Sequence, residues 1–253
     1  MRGLKVQWKS SPVDYTIDRN TVHVWRSYFQ PALVSNRRFV EGLSEEEIGK
    51  ARRFVRQTDR DRYIFAHALL RSILGAYVGC PPQQLIFETN PYGKPVLANP
   101  GAGNDIQFNL SHSEDMTLIA VARGVAVGID VEYMRRVPDA RQIANRYFSV
   151  NERRFLNSLP AGDFNKSFFA CWTSKEAYLK GLGKGLSYPL DKFSIIFPNG
   201  ESEGLISVCD DPTNGYCWNI ISLSPGPGYS GALAIEELRS KPEFFEYRQE
   251  NPP

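Results

Sequence analysis

Cysteine, long apolar stretches and an excess of charge of either sign are all scarce in this chain. The four cysteines, Cys80, Cys171, Cys209 and Cys217, stand far apart and form no Cys-x-x-Cys pair. That spacing excludes a disulfide framework and a zinc ribbon, and it fits a reducing cytosol. No apolar run approaches the length of a membrane span. The opening Met1–Gln7 carries charges but no apolar stretch follows it, so a signal peptide is not expected. Lys and Arg number 30 against 28 Asp and Glu, a net charge of +2, and nothing in that balance argues for nucleic acid. What is present is ordinary for a globular protein: 42% apolar residues in 253. A chain of that length forms one large domain or two small ones, with a substantial core.

Strands are expected at Thr21–Trp25, Leu85–Glu88, Ile106–Leu110, Thr117–Ala122, Val125–Glu132, Phe193–Phe197, Trp218–Leu223 and Ala232–Ile235. Ser44 followed by Glu45, Glu46 and Glu47 is a capping-box start for a helix running into Lys50-Ala-Arg-Arg-Phe54. Further helices are expected over about Asp59–Ala76, over Asn145–Ser158 as one helix or a pair, and over Phe164–Lys180. Asp163 is the expected cap of the last, and Gly181 and Gly183 its stop. Arg123-Gly124 reads as the turn of a β-hairpin, Ser111–Asp115 as a loop, residues 1–14 as loose and the proline-bearing tail after Arg239 as frayed. The order of helix, prolines and a strand ending in Ile-Phe occurs twice, at Ile86-Phe87 and Ile196-Phe197. The expected architecture is therefore α+β, in two similar halves, residues 1–123 and 124–253, with a ligand cleft between them.

Val125–Glu132 alternates with a period of two. Val125, Val127, Ile129 and Val131 fall on one face; Ala126, Gly128, Asp130 and Glu132 fall on the other. Neighbouring carboxylates repel unless a cation lies between them. An oxygen-only pair suits a hard ion such as Mg2+, which takes the rest of its shell from water and substrate phosphates. A strand end with two solvated acids fits the same letters. Gly128 leaves room for something large on that face. Later, Glu176 and Lys180 sit four apart on one helix face, a turn after Trp172, and a surface ion pair beside a core tryptophan fits that spacing equally.

Taken together these segments resemble a known family. Gly128-Ile-Asp-Val-Glu132, a spacer of about 40–45 residues, and Trp172-Thr-Ser-Lys-Glu-Ala-Tyr-Leu-Lys180 look like the paired signature of the 4′-phosphopantetheinyl transferase superfamily. Tyr92-Gly-Lys-Pro95, Asn109-Leu-Ser-His-Ser113, Phe148-Ser-x-x-Glu152 and Lys50-Ala-Arg-Arg-Phe54 resemble motifs of its long, surfactin-synthetase-activating branch, in order, over roughly residues 45–200. The resemblance implies two pseudo-symmetric α+β halves and transfer of the phosphopantetheine arm of coenzyme A to a serine of an acyl or peptidyl carrier protein, with 3′,5′-ADP leaving. It implies a Mg2+ site at Asp130, Glu132 and Glu176. Lys180 would hold a phosphate oxygen, and Glu176, or else Glu152, would be the base for the acceptor serine. Coenzyme A would be bound by Lys50, Arg53, Arg62, Gly93, Lys94, Pro95, Ser111, His112 and Lys180, with the first three on its 3′-phosphate and Lys94 pointing into the cleft. His23 and His67 read as structural. Glu47 departs from the pattern, because some relatives carry a second lysine three residues before Lys50. The implied protein is a cytoplasmic monomer without nucleic-acid or membrane partners. Arg135-Arg136 and Arg153-Arg154 would face an acidic carrier. A Mg2+-dependent pyrophosphate hydrolase and a non-catalytic carrier binder are the competing readings of the same residues.

Overall fold

The computed structural model describes residues 6–12, 14–99, 105–185, 188–195, 205–208, 218–236 and 241–248. The first half is built on a sheet of strands β1 (Lys9–Ser10), β2 (Thr21–Tyr28), β5 (Ile106–Ser113), β6 (Met116–Arg123) and β11 (Lys241–Glu246), in the order β1-β11-β2-β6-β5. Short helices α1 (Pro31–Val34), α2 (Arg37–Val40) and α3 (Glu45–Ala51) lead into α4 (Gln57–Val78). A two-stranded ribbon, β3 (Phe87–Thr89) with β4 (Pro95–Leu97), follows. The second half carries β7 (Val127–Tyr133), β8 (Leu205–Val208), β9 (Trp218–Leu223) and β10 (Tyr229–Ile235), ordered β7-β10-β9-β8. Its helices are α5 (Ala140–Tyr147), α6 (Val150–Ser158) and α7 (Ala161–Leu182).

Burial explains how these pieces stack. Trp25, Ile119, Val121 and Phe108 on one face of the first sheet pack with Phe65, Leu69, Ile73 and Leu74 of α4. The other face of that sheet presents Val24, Leu118, Ala120 and Ala122, which pack with Val127, Ile129, Val131 and Leu233 of the second sheet. The far face of the second sheet takes α7, through Ala177, Tyr178 and Leu179 against Ile220, Ala232 and Ala234. The result is four layers: helix, sheet, sheet, helix. α4 and α7 each span 22 residues and each stop at a glycine in the left-handed region, Gly79 and Gly183. The expected α+β class and paired halves are thus the observed ones.

Several expectations need correction. There is no hairpin at Arg123-Gly124, because both edges of β6 are already taken, by β2 and β5, and the chain changes sheets there to pair β7 with β10. Ser111–Ser113 is strand, not loop, since the β5–β6 ladder continues to Ser113 opposite Met116. Of the two readings of Asn145–Ser158, the helix pair is the observed one, with the break at Phe148-Ser149, where Ser149 and Glu152 form a capping box. α7 begins a turn early, with Asp163 in its first turn, and Gly181 lies inside it. Residues 193–195 are not strand, and 196–197 lie outside the described residues. Lys9–Ser10 is paired rather than loose, and residues 241–246 of the tail form β11, which runs parallel between β1 and β2, back in the first half; residues 240 and 249–253 lie outside the described residues. The proposed boundary at 123/124 therefore divides the sequence but not the sheet.

Phe244 and Phe245 explain that docking. Successive side chains of β11 point to opposite faces, so Phe244 enters the core between the sheets and Phe245 the core under α4. Phe245→Ala should destabilise the protein by about 3–5 kcal/mol, the range for a buried Phe truncation. Urea denaturation measures it; a loss below about 0.5 kcal/mol is what a frayed tail would give.

Candidate active site

The site forms where β7 lies against α7. A Cβ placed on Gly128 would fall 2.0 Å from the Ala177 carbonyl oxygen and 2.3 Å from the Gly181 nitrogen. Only a glycine admits the helix backbone at that distance, so the large body that Gly128 makes room for is α7 itself. The close approach brings Lys180 onto β7: its Nζ donates to Asp130 Oδ1 at 2.6 Å and to Ser111 Oγ at 3.0 Å.

β7 is an edge strand, and its outward N–H groups need partners. β5 supplies them through alternate side chains. The N–H groups of Ile129, Val131 and Tyr133 donate to Asn109 Oδ1, Ser111 Oγ and Ser113 Oγ at 2.8, 3.3 and 3.1 Å. The same serines turn their protons to the acids: Ser111 Oγ donates to Asp130 Oδ1 and Ser113 Oγ to Glu132 Oε2, both at 2.9 Å. Asn109 and Ser113 were not foreseen as site residues. Their period of two with Ser111 is the signal that could have shown it.

Ser111, His112, Asp130, Glu132, Glu176 and Lys180 line a cavity of about 450 Å3, walled by Tyr147, Trp172 and Leu190. Burial raises the pKa of Asp130, despite Lys180. Burial, then the Asp130 charge, raise those of Glu132 and Glu176. Desolvation by the surrounding protein, with His67, Lys180 and Arg62 nearby, lowers the pKa of His112 although the residue keeps an exposed edge, so it is neutral at pH 7. A hard divalent cation fits this donor set. The facing groups are carboxylate oxygens, and Asp130 Oδ2 is buried with no hydrogen-bond partner. Among the described residues, no three His, Cys, Asp or Glu side chains are grouped as a metal cage by themselves.

His112 also lines a second cavity, of about 750 Å3, with Lys50, Gly93, Pro95, Tyr63, His67 and Arg71. Lys50 holds Glu46 at 2.8 Å there. Arg53 and Arg62 line neither cavity, and Arg62 is engaged by Glu114 and Asp115, each at 2.8 Å. Glu47 is structural. It closes the capping box of α3 and receives Arg71 Nε at 2.7 Å, tying α3 to α4. Burial pushes its pKa up, but the His67 and Ser44 hydrogen bonds and the Arg71 charge prevail and hold it at about 2. His67 lies 3.3 Å from Glu47 and stacks on Tyr63 at 4.1 Å, so it belongs to this cavity wall. Lys94 does not point into the cleft; its ammonium is bound to backbone carbonyls of the second half.

Glu152 also stands apart from the acids. It is buried, and it caps α6 by accepting from the Ser149 N–H at 2.8 Å. It accepts from the Ile195 N–H and pairs with the fully buried Lys175, both at 2.9 Å. Lys175 in turn donates to the carbonyls of Leu190 and Phe193. This geometry makes Glu152 an anchor of α6 and of the Leu190–Ile195 segment to α7. Glu152→Gln should cost about 3–5 kcal/mol by stranding the Lys175 charge. Thermal denaturation should register that loss, whereas a Glu152 that acts as the base would lose turnover with stability intact.

The chain is similar to known proteins over nearly its whole length. A model of the 4′-phosphopantetheinyl transferase superfamily matches residues 126–234, and one described as 4′-phosphopantetheinyl transferase, N-terminal, matches residues 27–123. The chain is 33% identical over 244 residues to the 4′-phosphopantetheinyl transferase HetI of Nostoc sp., covering 96% of this chain and 100% of that one. It is 31% identical over 211 residues to Sfp of Bacillus subtilis, covering 83% and 88%. With psf-1 of Bacillus pumilus it shares 39% over 152 residues, 60% and 63% of the two chains. The chain belongs to the 4′-phosphopantetheinyl transferase superfamily.

Proposed function

We propose that the two cavities joined at His112 work as one site, which moves the phosphopantetheine arm of coenzyme A onto a serine of an acyl or peptidyl carrier protein and releases 3′,5′-ADP. The observation that carries this reading is the convergence of Asp130, Glu132, Glu176 and Lys180 in one cavity. The larger cavity takes the nucleotide, with Gly93 and Pro95 in its wall and Lys50 available to the 3′-phosphate if it releases Glu46. Arg62 would have to leave its carboxylates to join it; Arg53 has no part in either wall.

Asp130 and Glu132, with Glu176 opposite, would hold a Mg2+ ion, whose charge neutralises the pyrophosphate when bound. Lys180 holds a phosphate oxygen beside it, and neutral His112 donates a hydrogen bond without adding charge. Glu176 takes the proton of the attacking serine hydroxyl. Tyr147, Trp172 and Leu190 give the cavity its apolar wall.

The carrier would approach beside the acids. Arg135 shares a smaller cavity with Val137, Ile143, Phe168, Phe169 and Trp172, and that cavity also touches Glu132. A basic residue over an apolar groove suits an acidic, amphipathic helix. Among the described residues no helix is long and apolar enough to cross a membrane. We take the working form to be a cytoplasmic monomer, in keeping with the free thiols of Cys80 and Cys171.

Incubation with coenzyme A, Mg2+ and apo carrier proteins tests the reading. The expected result is a carrier heavier by one phosphopantetheine, while coenzyme A cleaved without carrier would indicate a hydrolase. Glu176→Gln should lower kcat about 10²–10⁴-fold, the range for removing a general base. Added salt should raise the KM for the carrier more than that for coenzyme A, since exposed charges are screened beyond about 8 Å.

A further inference from the structure

The turn between β3 and β4 comes from the first half but is fastened to the second. Asn90 Oδ1 accepts the N–H groups of Tyr92 and Lys94, both at 2.9 Å, and Gly93 turns the chain with a φ of 89°. The Asn90 amide is left free to donate to the Gly183 carbonyl at 2.8 Å. Lys94 Nζ donates to the Gly181 carbonyl and to the Val127 carbonyl, each at 3.0 Å. The fit is close: a Cβ on Gly183 would fall 2.8 Å from Asn90 Nδ2 and 3.2 Å from Lys94 Cδ.

These partners lead to three different parts of the site. The Gly181 and Gly183 carbonyls end α7, where helical carbonyls lack partners and bear the negative end of the dipole. Lys180 and Glu176 lie about one and two turns back along that helix. Val127 begins β7, three residues before Asp130. The turn itself contributes Gly93 and Pro95 to the larger cavity. Among the described residues no carboxylate pairs with the Lys94 ammonium; Glu236 acts on it at longer range and is itself occupied by the Ala126 N–H. Burial pushes Lys94 down to about 8, so holding the charge here carries a desolvation cost. A side chain selected only for stability would gain more from an apolar contact.

We propose that Lys94 is a positioning residue, which locks the turn lining the nucleotide cavity to the helix and strand that carry the reacting groups. Occupation of the larger cavity then tightens α7 against β7 in the smaller one. The inference rests on the transfer reading above and adds a coupling between its two cavities.

Steady-state kinetics of the full chain with coenzyme A and apo carrier, for the wild type, Lys94→Met and Lys94→Arg, test it. Lys94→Met should lower kcat at saturating coenzyme A roughly 10²-fold, the scale of a small misplacement of reacting groups. Its KM for the carrier should stay unchanged. Lys94→Arg keeps the charge and the donors and should restore most of kcat. Lys94→Met with wild-type kcat overturns the proposal, whether its KM for coenzyme A rises, as for a direct nucleotide contact, or only its Tm falls. Inactivity of the wild type would instead overturn the transfer reading. Hydrogen exchange along α7, with and without 3′,5′-ADP, then decides the coupling without turnover. Slowing in the wild type but not in Lys94→Met supports it; equal response in both overturns it.

Discussion

An edge strand buried between a sheet and a helix leaves its outward N–H groups without a ladder, and each unpaired one would cost about 1–3 kcal/mol. The fold meets that constraint at β7 with side chains rather than with another strand. Asn109, Ser111 and Ser113 accept the three N–H groups, at a spacing that matches the pleat of β7. Everything at the site depends on this seam. It joins the halves, sets the height of β7 against β5, and gives the serine protons only one direction in which to go, toward Asp130 and Glu132. The acids are oriented by the same atoms that close the sheet.

The cations follow a related logic. Lys175, Arg71 and Lys94 are held mainly inside the protein, on backbone carbonyls or on a buried acid, and each connects elements distant in sequence. Lys180 differs because its partners, Asp130 and Ser111, face a cavity. Sequence letters do not separate these two uses of lysine: Lys175 and Lys180 lie on one helix, five residues apart. What separates them is whether an open cavity meets the ammonium.

Much of the fold was legible because it is local. The capping box at Ser44, the period of two at Val125–Glu132 and the glycine stop of α7 each follow from a few neighbouring residues. The core of the site was legible for the same reason, since Asp130 and Glu132 share a strand face and Glu176 and Lys180 a helix face. Long-range facts were not. Nothing near Arg123 says that both edges of β6 are taken, and the prolines after Arg239 suggested a loose tail although Phe244 and Phe245 bury residues 241–246 on both sides. Lys94 and Arg62 were misplaced because their partners lie far along the chain or on a separate turn. Glu152 was read through a motif as chemistry, while its spacing from Ser149 is equally that of a helix cap.

The return of β11 to the first sheet bears on how the molecule is assembled. Phe245 stands opposite Trp25, across nearly the whole chain. While the protein is being synthesised, β2 has β6 on one side and nothing on the other until residues 241–246 emerge. The halves therefore cannot mature one after the other as beads on a string, although each has its own sheet and long helix. Non-local pairing of this kind slows folding, because the loop must close before the contact repays it. An open edge on β2 is also a template for pairing with another nascent chain. Completion of the last strand is thus a quality check on the first.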